Sequence, residues 1–329
     1  MITFFSTIPG ALILLLVGFV FLIKGADFFV EGASAVARKL HVPSLVIGMT
    51  IVAMGTSLPE LSVSVTASMA GSNQLAIGNV VGSNIFNLMV VLGSCALFSV
   101  LEVADDTIKK DFPFSIICAL ALVLLGLTGK SLGHIEGAVL LVAFVVFLIS
   151  MLNAAKKSRS EAAQMAEKDV EKAAVDIPTW LCIIYIVGGA TAIKFGGDWV
   201  VASCTTLALK FGMSETLVGL TIVALGTSLP ELVTSVVAAK KHELDMAIGN
   251  VVGSNIFNIL LILGTASAIS PIAFKFVNAI DGLILIGFSG IVWIICAKNK
   301  KLTRPVGALM LLLYVAYLIY IIIRDGGIA

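Results

Sequence analysis

Apolar runs separated by short polar stretches make up almost the whole chain. Ten of them approach the roughly 20 residues that a helix needs to cross a bilayer core. They lie at about 8–36, 44–70, 76–98, 112–129, 134–152, 180–208, 215–239, 247–270, 277–297 and 305–323. Within a bilayer every backbone group must be satisfied internally, so spans are helices or strands of a closed barrel, and continuous runs of this length argue for helices. The one long polar break, Asn153 to Pro178, carries ten charged residues and is expected to be a solvated linker with a short surface helix. The pattern predicts an all-α integral membrane protein of ten transmembrane helices: a five-helix half at 1–152, a cytoplasmic linker at 153–178 and a second five-helix half at 179–329.

The two halves are copies. Gly55-Thr56-Ser57-Leu58-Pro59-Glu60 recurs as Gly226 to Glu231, and the twelve residues Ala76 to Asn87 (AIGNVVGSNIFN) recur as Ala247 to Asn258, both at an offset of 171. Five spans per half is an odd number, so the second half enters from the opposite side and the repeats are expected to be inverted. Charge supports this, because Lys and Arg favour cytoplasmic loops. With both termini outside, the inside segments hold fifteen Lys and Arg and the outside segments four. Inverted repeats are a transporter architecture, with the substrate site near the midplane at their interface.

Composition narrows the classes. The chain is 59% hydrophobic and 12% charged, with mean hydropathy +1.10, whereas soluble domains are about 25% charged. The net charge of +1 gives no basic footprint for nucleic acid. The five cysteines form no CxxC and read as small buried hydrophobes; the three histidines fall at predicted loops without metal-ligand spacing. The first apolar run has neither a basic residue before it nor a small-residue cleavage site, and is read as a retained span.

Glu60 is the only acid in the second run, and Glu231 is the only one inside the seventh beyond its first residue, Glu215; each lies about mid-span. An ionisable residue at that depth is costly and marks a functional site by default, the bland alternative being a structural hydrogen bond or ion pair. Lys24 and Lys194, near Asp27 and Asp198, read as interfacial pairs instead. Pro59 and Pro230 lack an N–H and clash with the carbonyl four residues back, so Ala53–Thr56 and Ala224–Thr227 are expected to unwind and free carbonyls beside the acids. Thr56, Glu60 and Ser64 share a helix face, as do Thr227, Glu231 and Ser235. Asn79, Ser83 and Asn87, with Asn250, Ser254 and Asn258, form polar stripes; Gly78/Gly82 and Gly249/Gly253 have the GxxxG spacing that admits a close helix. Carboxylate, amide, hydroxyl and carbonyl oxygens suit hard cations. Ca2+ takes six to eight flexible oxygen ligands, whereas Mg2+ keeps its water and wants stricter geometry. Two acids at close quarters need Ca2+, Na+ or protons between them.

The duplicated motif pair resembles that of the cation/Ca2+ exchanger superfamily, in particular prokaryotic Na+/Ca2+ exchangers, and the likeness covers nearly the whole chain. It implies ten helices in inverted repeats and alternating access around one Ca2+ site and several Na+ sites. By motif position, Glu60 and Glu231 match carboxylates that bind both ions, and Thr56 and Thr227 match residues whose carbonyls bind Ca2+. Ala53, Ala224, Ser57, Ser228, Ser83 and Ser254 match Na+ ligands, and Asn87 and Asn258 match the pair beside the middle position. Some relatives, notably K+-dependent exchangers, carry Asp where this chain has Asn258, which argues against K+ co-transport. The linker is too short for the regulatory domains of animal exchangers. The resemblance implies Na+/Ca2+ antiport, with sliding of the first and sixth spans as its access switch. A Ca2+/H+ antiporter of the same fold and a passive cation channel are the alternatives; the proton-coupled relatives usually have Asn in the Ser/Thr run before the glutamate. No nucleophile–base pair or cofactor motif points to an enzyme, and no cofactor or oligomer is expected. The expected partners are Ca2+, Na+ and the lipid bilayer, and the expected location is a prokaryotic inner membrane.

Overall fold

The computed structural model describes residues 7–166, 177–212 and 224–324. Its first half contains α1 (Ile8–Leu40), α2 (Ser44–Thr56), α3 (Leu58–Met69), α4 (Asn73–Phe98), α5 (Thr107–Gly129) and α6 (His134–Ala166). Its second half contains α7 (Thr179–Lys210), the single turn α8 (Ala224–Gly226), α9 (Leu229–Lys240), α10 (Leu244–Ile269), α11 (Phe276–Asn299) and α12 (Arg304–Arg324). Among the described residues eight helices are long and apolar enough to cross a membrane, and α2 with α3, bent by 49°, makes a ninth. Of the seventh predicted span, residues 215–223 lie outside the described residues. The chain is a multi-pass membrane protein: its outer helices present Leu16, Val142, Val187 and Leu312 outward, where only lipid suits them.

Two helices form the centre. In α10, 94% of the span is buried and in α4, 78%, against 22–39% for the other six long helices. Each central helix carries one copy of the twelve-residue repeat, so the most duplicated sequence lies deepest. The halves also join at four two-residue strands: β1 (Leu101–Glu102), β2 (Ser131–Leu132), β3 (Ile272–Ala273) and β4 (Lys301–Leu302). β1 pairs antiparallel with β4 and β2 with β3, so each pair takes one strand from either half. Lys300 Nζ, 2.7 Å from Asp105 Oδ1, ties the first of these junctions.

α1 and α7 pack along a seam of small residues spaced by seven. A Cβ added to Gly25 would lie 2.9 Å from Ile193 N, and one on Gly196 would lie 2.6 Å from Leu22 N. Backbones meet here with nothing between them, which is how helices associate in lipid, where side-chain hydrophobicity supplies no drive.

Two expectations change and one gains detail. α6 continues to Ala166, so the first part of the stretch expected to be the linker is helical. Polarity there signals exposure, while Ala, Lys, Arg, Glu and Gln with no Gly or Pro keep the backbone helical; residues 167–176 lie outside the described residues. The break in the second span falls at Ser57 (φ −84°, ψ 7°) instead of unwinding Ala53–Thr56, which stays helical. The Ala53 carbonyl accepts the Ser57 N–H at 3.0 Å. Pro59 is accommodated in the first turn of a new helix, where its missing N–H costs nothing. Finally, Gly249 and Gly253 do meet a close helix, with added Cβ atoms 2.6 Å from Leu45 O and 2.7 Å from Met49 Cα, but no described atom lies within 4 Å of such positions on Gly78 and Gly82. The segment related by the repeat to Leu45–Met49 is 216–220, outside the described residues.

Candidate functional site

The two breaks bring the repeat motifs face to face. Ser57 is the N-cap of α3 and Glu60 follows at its third position; Ser228 and Glu231 stand likewise on α9. That spacing is the one a capping box uses, serine to glutamate three residues on. Neither serine makes a cap hydrogen bond. Each reaches across to the other half: Ser57 Oγ donates to Glu231 Oε1 at 2.9 Å, and Ser228 Oγ donates to Glu60 Oε1 at 3.0 Å. Both glutamates are fully buried, at helix N-termini whose dipoles favour a carboxylate.

A second exchange surrounds the first. Thr56 Oγ1 donates to Asn250 Oδ1 at 3.1 Å, and Thr227 Oγ1 donates to Asn79 Oδ1 at 3.3 Å. The amide nitrogens continue outward, Asn79 Nδ2 to Ser64 Oγ at 3.0 Å and Asn250 Nδ2 to Ser235 Oγ at 2.9 Å. Ser83 Oγ lies 3.0 Å from Ser228 Oγ. Ser254, on the equivalent turn of α10, is buried beside the Glu231 carboxylate. Thus Glu60, Glu231, Thr56, Thr227, Ser57, Ser228, Ser83 and Ser254 converge. The Ala53 carbonyl is already engaged by the Ser57 N–H, and the Thr56 hydroxyl that donates to Asn250 lies 3.3 Å from it. Ala224 opens α8, three residues before Thr227.

Asn87 and Asn258 sit at the ends of the shared stretch, where α4 and α10 widen into π-helical turns at Asn87–Val91 and Asn258–Leu263. Such widened turns occur often at functional sites. Here the symmetry fails: Asn258 Nδ2 donates to Asn84 Oδ1 at 2.9 Å, while neither polar atom of the fully buried Asn87 has a partner among the described residues.

The sequence stripes missed Asn84 and Asn255. They form a reciprocal pair, Asn84 Nδ2 to Asn255 O at 3.1 Å and Asn255 Nδ2 to Asn84 O at 3.2 Å, and clamp the two central helices together. They lie off the face defined by Asn79, Ser83 and Asn87. The signal that could have found them was the duplication of an amide inside an apolar run.

The chemistry of the site follows from its unused atoms. Glu60 Oε2, Glu231 Oε2, Ser254 Oγ, Asn87 Oδ1 and Asn258 Oδ1 are buried acceptors without partners. Among the described residues no Lys, Arg or His forms an ion pair with either glutamate. Buried oxygens are normally satisfied, and buried carboxylates are normally paired or bound to metal. A set of unmet oxygens carrying two carboxylates, without nitrogen or sulfur ligands, fits a hard cation.

Comparison with known proteins agrees. The sodium/calcium exchanger protein family profile matches residues 10–153 and 181–323. CaxA of Alkalimonas amylolytica is 44% identical over 261 residues, covering 79% of this chain and 81% of that protein. The sodium/calcium exchanger MaX1 of Methanosarcina acetivorans is 32% identical over 339 residues, covering 93% and 97%. Among solved structures, the sodium-calcium exchanger NCX_Mj, soaked with Na+ and Sr2+, superposes with a TM-score of 0.80 at 29% identity, covering 94% of this chain and 98% of that one. The chain belongs to the sodium/calcium exchanger protein family.

Proposed function

We propose that this protein is a secondary active antiporter that exchanges Na+ for Ca2+ by alternating access. The observation that carries the reading is the pair of fully buried glutamates, cross-bonded between halves, with their second carboxylate oxygens and neighbouring amide and hydroxyl oxygens unmet. Glu60 and Glu231 hold both ions and balance the charge of one Ca2+. The Thr56 and Thr227 carbonyls complete the Ca2+ shell. Ser57, Ser228, Ser83 and Ser254 serve Na+ with the carbonyls of Ala53 and Ala224, the former also accepting the Ser57 N–H. Asn87 and Asn258 line the middle. Exchange follows from electrostatics: a dry site with two carboxylates crosses the membrane only when cations occupy it.

The architecture we propose is ten helices in two inverted five-helix repeats, 1–152 and 179–329, joined by a cytoplasmic linker whose first part extends α6. Recurrence of the helices at the same offset of 171, and strand pairs that always take one member from each half, support this. An inner membrane with both termini outside fits the distribution of Lys and Arg. The α1/α7 pair, joined backbone to backbone, is the element that slides.

Uptake of radiolabelled Ca2+ into proteoliposomes loaded with Na+ tests the function. An outward Na+ gradient is expected to drive uptake, and Glu60→Gln and Glu231→Gln are each expected to lower it at least about 100-fold, as losing a charged ligand from a dry site warrants. Uptake that follows a proton gradient and ignores Na+ would move the protein to Ca2+/H+ exchange; the serines bonded to the carboxylates favour Na+.

A further inference from the structure

A cleft of about 280 Å³ runs between α7 and the α3/α8 side of the site; Pro59, Ser62, Lys194, Asp198, Thr227 and Pro230 are among its lining residues. Thr227, one of these lining residues, bonds Asn79 and lies beside the Glu60 carboxylate. The cleft therefore reaches the polar shell of the site. On its α7 wall stands Asp198, its side chain 51% exposed, with Lys194 Nζ 2.7 Å from Oδ2. An acid this far inside a span faces a cavity or a partner. The partner is a half-exposed neighbour on the same helix, and an exposed pair of this kind adds little stability.

The repeat supplies the comparison. Asp198 corresponds on α1 to Asp27, whose side chain is 36% exposed and lies 3.7 Å from Lys24 Nζ of the same helix. What sets the Asp27 side apart is Lys241, whose Nζ lies 3.0 Å from the Asp27 carbonyl and 3.5 Å from Oδ1. Lys241 corresponds to Ala70, so no ammonium from the opposite half can reach Asp198 in the same way; Lys194 itself corresponds to Ile23. One carboxylate of the related pair is neutralised from across the interface, and the other is left in an open cleft with a flexible counter-ion.

We propose that Asp198 is the carboxylate that first receives the incoming cation at the mouth of this cleft, with Lys194 as its displaceable counter-ion. The inference rests on the antiport reading. A cation displaces the Lys194 ammonium, gains the carboxylate within low-dielectric walls that focus its field, and passes along Thr227 to Glu60. Ca2+ gains twice what Na+ gains from the same charge, so the residue biases capture toward the divalent ion. Lys194 limits retention, because its return releases the ion inward or outward.

The test is Na+-gradient-driven Ca2+ flux in right-side-out and inside-out vesicles, with the half-saturating Ca2+ concentration and the maximal rate read separately from each face. Asp198→Asn is expected to raise half-saturation by about fivefold from one face only, the effect shrinking as ionic strength rises. Lys194→Met is expected to lower it from that same face, and Asp198→Glu to restore parental behaviour. A merely structural ion pair predicts the same change in Asp198→Asn and Lys194→Met, from both faces. That outcome, or no change in either variant, would overturn the inference while leaving antiport standing. Absence of Na+-driven flux in the unsubstituted chain would overturn antiport and the inference together.

Discussion

A serine that donates to the glutamate of the opposite repeat makes each half depend on the other. If either hydroxyl were spent on its own helix cap, the two carboxylates would lose the contact that aligns them across the interface. Ser57→Ala and Ser228→Ala each remove a hydrogen bond to a charged acceptor, about 1.5–3 kcal/mol, and Ser228→Ala also removes the contact with Ser83. Both are expected to weaken Na+ activation of Ca2+ flux by roughly tenfold to 100-fold, since the bonds to the carboxylates are 2.9 and 3.0 Å, with Ser228→Ala at the larger end because it also loses Ser83. A Na+ titration of flux checks this; a large effect at one serine with none at the other would mean that the crossed bonds are not equivalent in the working protein. At this scale Glu60 and Glu231 were legible, because an acid amid apolar residues needs a reason wherever it points. The direction of Ser57 was not: the same serine–glutamate spacing describes a local cap, and only the fold decides that its hydrogen bond spans 174 positions. Asn84 escaped for a related reason, since helical periodicity identifies one face and its partner lies on another helix.

Elements were read well where lipid dictates them and poorly where backbone geometry does. Hydropathy located eight long helices and the bent α2/α3 pair, because bilayer thickness sets their length. It placed no signal on the break at Ser57 or on the widened turns after Phe86 and Phe257, which are shifts of hydrogen-bond register and leave composition unchanged. The α1/α7 seam was also hidden, because glycines seven apart read as ordinary apolar filler until the facing helix is known. Its tightness gives a sharp expectation for Gly196→Leu. With Leu22 N 2.6 Å from any added Cβ, the backbones must part, and overpacking of this kind costs about 1–3 kcal/mol. Lower thermal stability in detergent is expected together with slower exchange, since the pair would no longer move as one body. Unaltered stability and flux would show that the two helices separate during the cycle.

At the scale of the whole molecule, near-identity of the site motifs means that exchanging the roles of the halves changes the site little, so the energies of the two access states are set elsewhere. The ties around Lys241 are where the halves differ. Lys241 holds Asp27 and Glu31 of α1, each at 3.5 Å, and the adjoining Glu243 is 3.6 Å from Arg38 and accepts from Ser44 at 3.0 Å. The repeat-related positions of Lys241, Glu31 and Arg38 are Ala70, Ala202 and Leu209, none of which carries a charge. The ties therefore favour the state in which α1 is closed against α9. The Lys241 contacts are about a third exposed, so their combined worth is discounted to about 1 kcal/mol, a factor of about five in the equilibrium. Lys241→Met is expected to raise the population of the opposite state by that factor. Cysteine reporters at the related positions Ser62 and Val233 read it with a membrane-impermeant thiol reagent, each in a background without other reactive thiols. Because the closed-at-Lys241 state dominates, labelling at Ser62→Cys in the open cleft should change little, while labelling of Val233→Cys from the opposite face should rise about fivefold. Equal labelling of Val233→Cys with and without Lys241 would mean that the ties carry no bias, and that the resting orientation is set within the site itself.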